Sequence, residues 1–287
     1  MRHLLQHAGG WDRGIAGDPI FQNTINAGLF EIGLNVNCSD LIRAEMSMPL
    51  QFTPGTQSRY SNLGFCVLGR VIEQVTTMPY EVYVRDHVLA PLDVHAMSIG
   101  YERLEQRGPF ESKYYTFDGE RRVQSIFPGE GLVPGPYGGH SLSGVDSSGG
   151  WIASAIDLVR VMTAVDGSRV QGISATTYEE MLADPQLPGP YRTGYWEGMG
   201  VFVGPTPTTW SNNGRLSGAQ SLVVHDRYGY CWVLLANTGP EDIGGFERAI
   251  VAAMAQGFDA HGPGGFTGSA VDLFSQYPSP PLPARHQ

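Results

Sequence analysis

The chain has 287 residues, a net charge of −10, 38 glycines and only 16% charged residues. That length can bury a large core as one big domain or two intimate ones, and the composition suits a loop-rich globular fold, not a disordered chain. The acidic balance disfavours non-specific nucleic-acid binding, and no apolar run reaches membrane-spanning length.

The first residues, Met1-Arg2-His3-Leu4-Leu5-Gln6-His7, have no apolar signal-peptide core and no N-cap before them. They read as a helix already under way, in a chain that is cytoplasmic by default. Ser39 is placed to cap a short helix through Met46, which Pro49 stops. After Asn62, the residues Leu63, Val67, Leu68, Val71, Ile72 and Val75 recur on one helical face, the pattern of a core helix. A further helix is expected from about Tyr80 to Leu89, before Pro91. Lys113 to Phe117 and Arg121 to Phe127 flank Asp118-Gly119 and predict a hairpin. Residues 128–150 are rich in Gly, Pro and Ser and read as loop. Ser154 and Asp157 then open a helix as a capping box, with Leu158, Val161, Met162 and Val165 on one face.

After about Tyr195 the pattern changes. Met199, Val201 and Val203 alternate as in a strand, and Ser221 to His225 and Tyr230 to Asn237 form two strands joined by a turn at Asp226 to Gly229. A last helix carries Phe246, Ile250, Ala253 and Met254 on one face and is expected to end at Gly257. The tail from Pro278 to Pro283 is expected to stay loose. This order reads as α+β: a helical lobe over 1–195, a sheet with its covering helix over 196–260, and a tail over 261–287, in one integrated domain. Cys38, Cys66 and Cys231 lack metal-like spacing and read as buried free thiols. No His/Cys/Asp/Glu cluster is spaced as a metal site, and no cofactor is expected.

Chemistry concentrates at Tyr60-Ser61-Asn62, between Pro54-Gly55-Thr56 and the helix after Asn62. A Tyr-x-Asn triplet alone is a weak signal, and its company is what counts. Arg2-His3-Leu4-Leu5-Gln6-His7 with Gly9-Gly10 precedes it. Gly149-Gly150-Trp151-Ile152-Ala153-Ser154 leading to Asp157-Leu158 follows, and then Trp210-Ser211-Asn212-Asn213-Gly214-Arg215. Together, over Met1 to about Phe258, these segments resemble the serine β-lactamase and penicillin-binding-protein superfamily, nearest its class C and esterase-like branch.

The resemblance implies a β-lactamase/transpeptidase-like fold, an antiparallel sheet flanked by helices with a mostly helical lobe. It implies acyl transfer on a small ester or amide, β-lactams included. By resemblance Tyr60 takes a proton and Asn62 hydrogen-bonds substrate. Asn212, Asn213, Gly214 and Arg215 border the pocket, the Arg215 N–H serving as an oxyanion donor. The family attacks with the serine of a Ser-x-x-Lys motif. The sequence contains none, since its single lysine, Lys113, has Phe110 three residues before it. The family's first strands and its nucleophile helix precede the residue matching Met1. The expectation is therefore a shortened member without its nucleophile. It would expose Tyr230 to Ala236 as an apolar sheet edge and either self-associate there or cover it with something else.

Physical chemistry sets a condition of its own. A tyrosine takes a proton only as phenolate, and at a pKa of about 10 only ~0.1% is ionised at pH 7. A cation must lie close. Asn212 holds the position where the family has lysine or histidine, and Arg215 is the one cation in the segment from Trp210 to Arg215. Plainer roles stand beside these. Tyr60 would serve as a core tyrosine, His7 would pack or cap its helix, and His140 would be a solvated loop histidine rather than a substitute base. Ser61, Ser141, Ser143, Ser147 and Ser148 are candidate replacement nucleophiles, while Glu102, Glu105, Asp118 and Glu120 read as surface charge. Two functions follow: a serine hydrolase of esters or amides, or a non-catalytic binding or scaffold module that keeps the fold.

Overall fold

The structure, a computed structural model, describes residues 1–22, 36–116, 122–142, 144–206, 208–239, 242–261, 277 and 279–280. Among the described residues the first α-helices are α1 (Arg2–Leu5), α2 (Arg13–Ala16), α3 (Cys38–Glu45), α4 (Asn62–Thr76) and α5 (Tyr80–Val84). α5 continues as a π-type turn over Arg85–Leu89, so the expected Tyr80 to Leu89 helix is present with its last turn wound wider. α3 is capped by Asn37, whose side chain accepts the Asp40 N–H while Asp40 reaches back to the Asn37 N–H. Ser39, the expected cap, lies inside the helix. A reciprocal box satisfies two orphan N–H groups where a lone hydroxyl satisfies one.

α4 buries a different stripe from the one its large apolar residues mark. Leu63, Gly64, Cys66 and Gly69 are buried, whereas Val75 is 77% exposed. Small residues win because neighbours press against the helix. A Cβ on Gly69 would stand 2.3 Å from the Ser147 Oγ. Cys38 of α3 and Cys66 of α4 face each other at a Cα separation of 5.4 Å and are disulfide-bonded, a separation within the ordinary range for such a bond. This corrects the expectation of free thiols for these two; Cys231 alone is free. Both half-cystines are fully buried among Ile20, Val36, Leu41, Leu63 and Val145.

The middle of the chain holds β1 (Ser98–Ile99), β2 (Arg122–Gln124), β3 (Leu132–Pro134), α6 (Asp146–Gly149), β4 (Trp151–Ile152), α7 (Ala155–Val165) and α8 (Ala175–Leu182). β2 pairs with β3, so residues 128–150 contain a strand and a helical turn besides loop. The expected turn at Asp118-Gly119 lies outside the described residues. The partner expected on its far side is engaged elsewhere, since Tyr115 bridges Thr238. Ser154 caps α7 through the Asp157 N–H, as its sequence indicated. α7 joins two cores: Leu158 and Val161 meet Leu89, Val94 and Met97, while Met162 and Val165 meet Leu182, Val201, Val203 and Trp210.

The main sheet has the order β5 (Trp196–Glu197), β6 (Phe202–Val203), β7 (Trp210–Leu216), β8 (Ala219–His225) and β9 (Cys231–Ala236), antiparallel throughout. Its register lines up Trp210, His225 and Cys231 across three strands. Period-2 alternation then puts Asn212 and Gly214 on that same face, and Asn213 and Arg215 on the other. α9 (Ile243–His261) meets the second face, where Asn213 donates to the Glu247 carboxylate at 3.2 Å. The helix runs through Gly257, which has open space around it and costs helix stability without breaking it. Among the described residues no helix is long and apolar enough to cross a membrane. Of the tail from Pro278 to Pro283, only 279 and 280 are described, and Ser279 accepts the His95 and Ala96 N–H groups.

The Cys38–Cys66 bond closes a sequence separation of 28 residues. Closing a loop of that size removes chain entropy equivalent to about 3 kcal/mol of stability. Urea unfolding of chains refolded in dithiothreitol should show a loss of that order relative to oxidised chains. Identical midpoints would mean that the bond does not form.

Candidate active site

The turn at Pro54-Gly55-Thr56 lies back on the end of α1. Gly55 donates its N–H to Ala8 O at 2.9 Å, Arg59 donates to His7 O at 2.8 Å, and the Ser58 hydroxyl donates to Gln6 O at 2.9 Å. Gly55 has φ +80°, and a Cβ there would stand 2.5 Å from the His3 ring. Only glycine meets both demands. The tethered turn delivers Tyr60 immediately before α4, with Ser61 as N-cap and Asn62 as the first helical residue.

Tyr60 and Asn62 are joined directly. The Tyr60 hydroxyl donates to Asn62 Oδ1 at 2.9 Å, and Asn62 Nδ2 donates to Asp18 Oδ2 at 2.6 Å. The Arg13 guanidinium lies 4.1 Å from the centre of the Tyr60 ring, and the His7 ring lies 4.4 Å away on centroids. The cation beside the tyrosine is therefore Arg13, not Arg215. Burial pushes the Tyr60 phenol above its usual value; Arg13 opposes this, while the Asp18 and Glu197 carboxylates add to it. At neutral pH Tyr60 is a neutral phenol whose proton is shared with Asn62. Burial pushes Asp18 up as well. Burial takes His7 down to about 4, so its ring is neutral and Nδ1 accepts the Ser61 N–H at 3.2 Å. His7 packs in the site, as expected.

A second layer sits behind Ser58. The Tyr191 hydroxyl lies 3.4 Å from the Ser58 hydroxyl and donates to Glu197 Oε1 at 3.2 Å. Burial lifts Glu197 to about 7, against a smaller opposing contribution from the Tyr191 bond.

The strand residues are dispersed. Asn212 donates to Gly200 O at 2.9 Å; the Gly200 N–H in turn donates to Leu5 O at 2.9 Å, which ties Asn212 to α1. Asn213 is held by Glu247 on the opposite face. Gly214 and Arg215 line a cavity of about 1220 Å³ together with Tyr101, Trp151, Leu235 and Asn237. Tyr60 and Asn62 are not among its lining residues. The structure thus brings Tyr60 to Asn62, and Asn212 to the α1 end beside them, and it leaves Asn213 and Arg215 apart.

The replacement nucleophiles serve local structure. Ser147 donates to Phe65 O at 2.9 Å and Ser148 to Val145 O at 2.8 Å, while Ser141 Oγ accepts the Gly144 N–H at 3.0 Å. Ser143 lies outside the described residues, as do Asp118 and Glu120. His140 is half-buried rather than solvated, and burial lowers its pKa. Arg13, Asp18, Tyr191 and Glu197 escaped sequence reasoning. Asp18 carried one local signal, a cap-like position before Pro19 that the structure confirms through the Ile20 N–H. Glu197 carried none, because its burial comes from packing across the fold.

The Beta-lactamase family model matches residues 1–255. A Bacillus subtilis (strain 168) protein named for the penicillin-binding proteins, PbpX, is 25% identical over 236 residues, which is 82% of this chain and 50% of that one. The chain thus spans about half the length of that curated relative. The D-stereospecific amidohydrolase from Streptomyces sp. superposes with a TM-score of 0.67 at 23% identity, covering 90% of this chain and 72% of the other. The octameric penicillin-binding protein homologue from Pyrococcus abyssi does so with a TM-score of 0.65 at 19% identity, covering 88% and 55%. These superpositions establish the fold.

Glu197 provides a test of the site's electrostatics. Its carboxyl titrates near 7 when folded against an ordinary value of 4.5, so the folded state holds the extra proton between those values. Its contribution is favourable below pH 4.5 and is lost as pH rises through 7. Glu197→Gln keeps an acceptor for Tyr191 and removes the buried charge. At pH 8 the variant should be more stable by up to about 3 kcal/mol, with the gain vanishing near pH 4 in denaturant titrations. A gain that does not depend on pH would contradict this.

Proposed function

Because the chain belongs to the Beta-lactamase family, we propose that it takes part in serine-type acyl transfer on a small ester or amide. It supplies the Tyr60–Asn62 half of the site and the Asn212 to Arg215 strand. The observation that carries this reading is the 2.9 Å bond between the two motif side chains at the start of α4. A carbonyl carbon is attacked by a serine oxygen, and the serine proton passes to a base as the new bond forms. Tyr60 can be that base only after its own proton has left. Arg13 favours that loss, and an added ammonium would favour it further. These 287 residues contain no Ser-x-x-Lys, so in this reading the attacking oxygen and the ammonium come from a segment outside them.

A specific observation favours a second reading for the chain by itself. Asn62 is engaged at both ends of its carboxamide, Tyr60 keeps its proton, and Asn212 stands where a cation would help. In this reading the chain binds a ligand without turning it over, and the separate cavity of about 1220 Å³ bordered by Gly214 and Arg215 has room for a small one.

Two measurements test these readings. The chain of 287 residues should show no labelling by a fluorophosphonate and no turnover of chromogenic esters or cephalosporins. A form that carries a Ser-x-x-Lys segment should show both, and its kcat should fall about 10²–10⁴-fold in Tyr60→Phe. Turnover that survives Tyr60→Phe would remove the proposed role of the tyrosine. Turnover by the 287 residues alone that Tyr60→Phe abolishes would rule out the binding-module reading.

The sheet edge bears on partners. β9 pairs with β8 on one side. On its other side the described residues place only the Tyr115–Thr238 bridge, past its end. We propose that this edge pairs with a second copy, an idea supported by the octameric Pyrococcus homologue. Light scattering should show mass rising with concentration; a monomer at high concentration would contradict it.

A further inference from the structure

Three side chains far apart in sequence converge where the end of α7 meets the sheet. Asp166 follows the last residue of α7 as its C-cap. His225 and Cys231 are register partners at the ends of β8 and β9. His225 Nε2 lies 3.3 Å from Asp166 Oδ2, and Cys231 Sγ lies 3.5 Å from the same oxygen. The three donor atoms all lie within 4.8 Å of one another. The Asp166 and His225 side chains are 5% and 10% exposed.

The hydrogen bonds around this cluster fix its polarity. His225 Nδ1 lies 2.7 Å from the Thr208 carbonyl oxygen, which accepts and cannot donate, so the Nδ1 proton is committed there. That leaves Nε2 turned toward the Asp166 carboxylate, 3.3 Å from Oδ2. Asp166 Oδ1 is already occupied by the Ser168 N–H at 2.7 Å, which turns Oδ2 toward the other two donors. Trp210 stacks on His225 with ring centroids 5.4 Å apart and holds the imidazole plane. A carboxylate at a helix C-terminus also faces the negative end of the helix dipole. A second carboxylate lies next in the chain: Asp226 Oδ2 is buried without a hydrogen-bond partner.

We propose that Asp166, His225 and Cys231 form a binding site for a transition-metal dication of the zinc type, separate from the Tyr60 site. One thiolate, one imidazole held by a carbonyl on its far nitrogen, and one carboxylate make a donor set for zinc or cobalt(II) rather than calcium or magnesium. Tetrahedral zinc with bonds of about 2.0–2.3 Å separates its ligand atoms by roughly 3.3–3.8 Å, which matches the two distances to Asp166 Oδ2. Binding forms metal–sulfur, metal–nitrogen and metal–oxygen bonds and releases the Cys231 thiol proton to solvent. The ion would staple the end of α7 to the β8–β9 pair. Spacing gave no hint of it, because the donors come from a helix cap and the two sides of a hairpin.

Cobalt(II) and zinc(II) titrations of the untagged chain test the site. Because Cys38 and Cys66 are bonded to each other, a thiolate-to-cobalt charge-transfer band can come only from Cys231. The expected result is one metal per chain, that band in the near ultraviolet, and an unfolding temperature raised by zinc and restored by EDTA. Cys231→Ser should lose the band. His225→Gln and Asp166→Asn should weaken zinc about 100-fold or more, beyond what losing a supporting residue costs. His95→Gln, at an exposed histidine, should bind like the parent. Circular dichroism separates loss of binding from loss of fold. Absence of the band in the parent chain, or zinc affinity and thermal shift unchanged in both Cys231→Ser and His225→Gln, would overturn the proposal.

Discussion

The Asn62 carboxamide is the point on which the candidate site turns. It accepts from the Tyr60 hydroxyl at one end and donates to the Asp18 carboxylate at the other. This fixes three chain segments at once: the loop before α4, the first turn of α4, and the loop between α2 and Pro19. It also decides the protonation of the tyrosine. A phenolate would face Asn62 Oδ1 lone pair to lone pair, so the bond as drawn requires the phenol. Burial and two carboxylates favour the same state, and Arg13, stacked on the ring, is outweighed. For Tyr60 to serve as a base, its own proton must first leave and its hydrogen bond to the carboxamide must be given up.

Around that point the fold uses close approach rather than bulk. Gly55 lets the Pro-Gly-Thr turn sit on His3, and Gly69 lets α6 press on α4 through Ser147. Both contacts serve the same end, which is to hold the start of α4 still. α7 does the wider work by spanning two cores with adjacent faces. The sheet is then held on one side by α7 and α8, while on the other α9 meets it through the Asn213–Glu247 hydrogen bond.

Much of this was legible in the sequence for physical reasons. The Ser154 cap and the β8–β9 hairpin follow from local hydrogen-bonding chemistry and from strand and turn patterns, which need no knowledge of distant neighbours, whereas the segment carrying Asn212 and Asn213 was marked only by the family resemblance. The Tyr60–Asn62 pair was marked by its likeness to the family's Tyr-x-Asn motif in the company of the other segments, the triplet alone being a weak signal. What escaped depends on the third dimension. Large apolar residues marked one stripe of α4, but glycines and a cysteine made another stripe the inner one. Tyr115 was assigned to a hairpin and instead bridges Thr238. Arg13 and Glu197 reach the tyrosine from loops and a strand whose positions no local pattern encodes. Cys38 and Cys66 had no telling spacing because their helices, not their separation, bring them together.

That last pair has a consequence for how the molecule comes into being. Each folded chain has surrendered two electrons to some oxidant. With both sulfurs fully buried, the transfer has to happen before the interior shuts, and small thiols cannot reverse it afterwards without opening α3 from α4. Maturation of this chain is therefore tied to a supply of electron acceptors during folding.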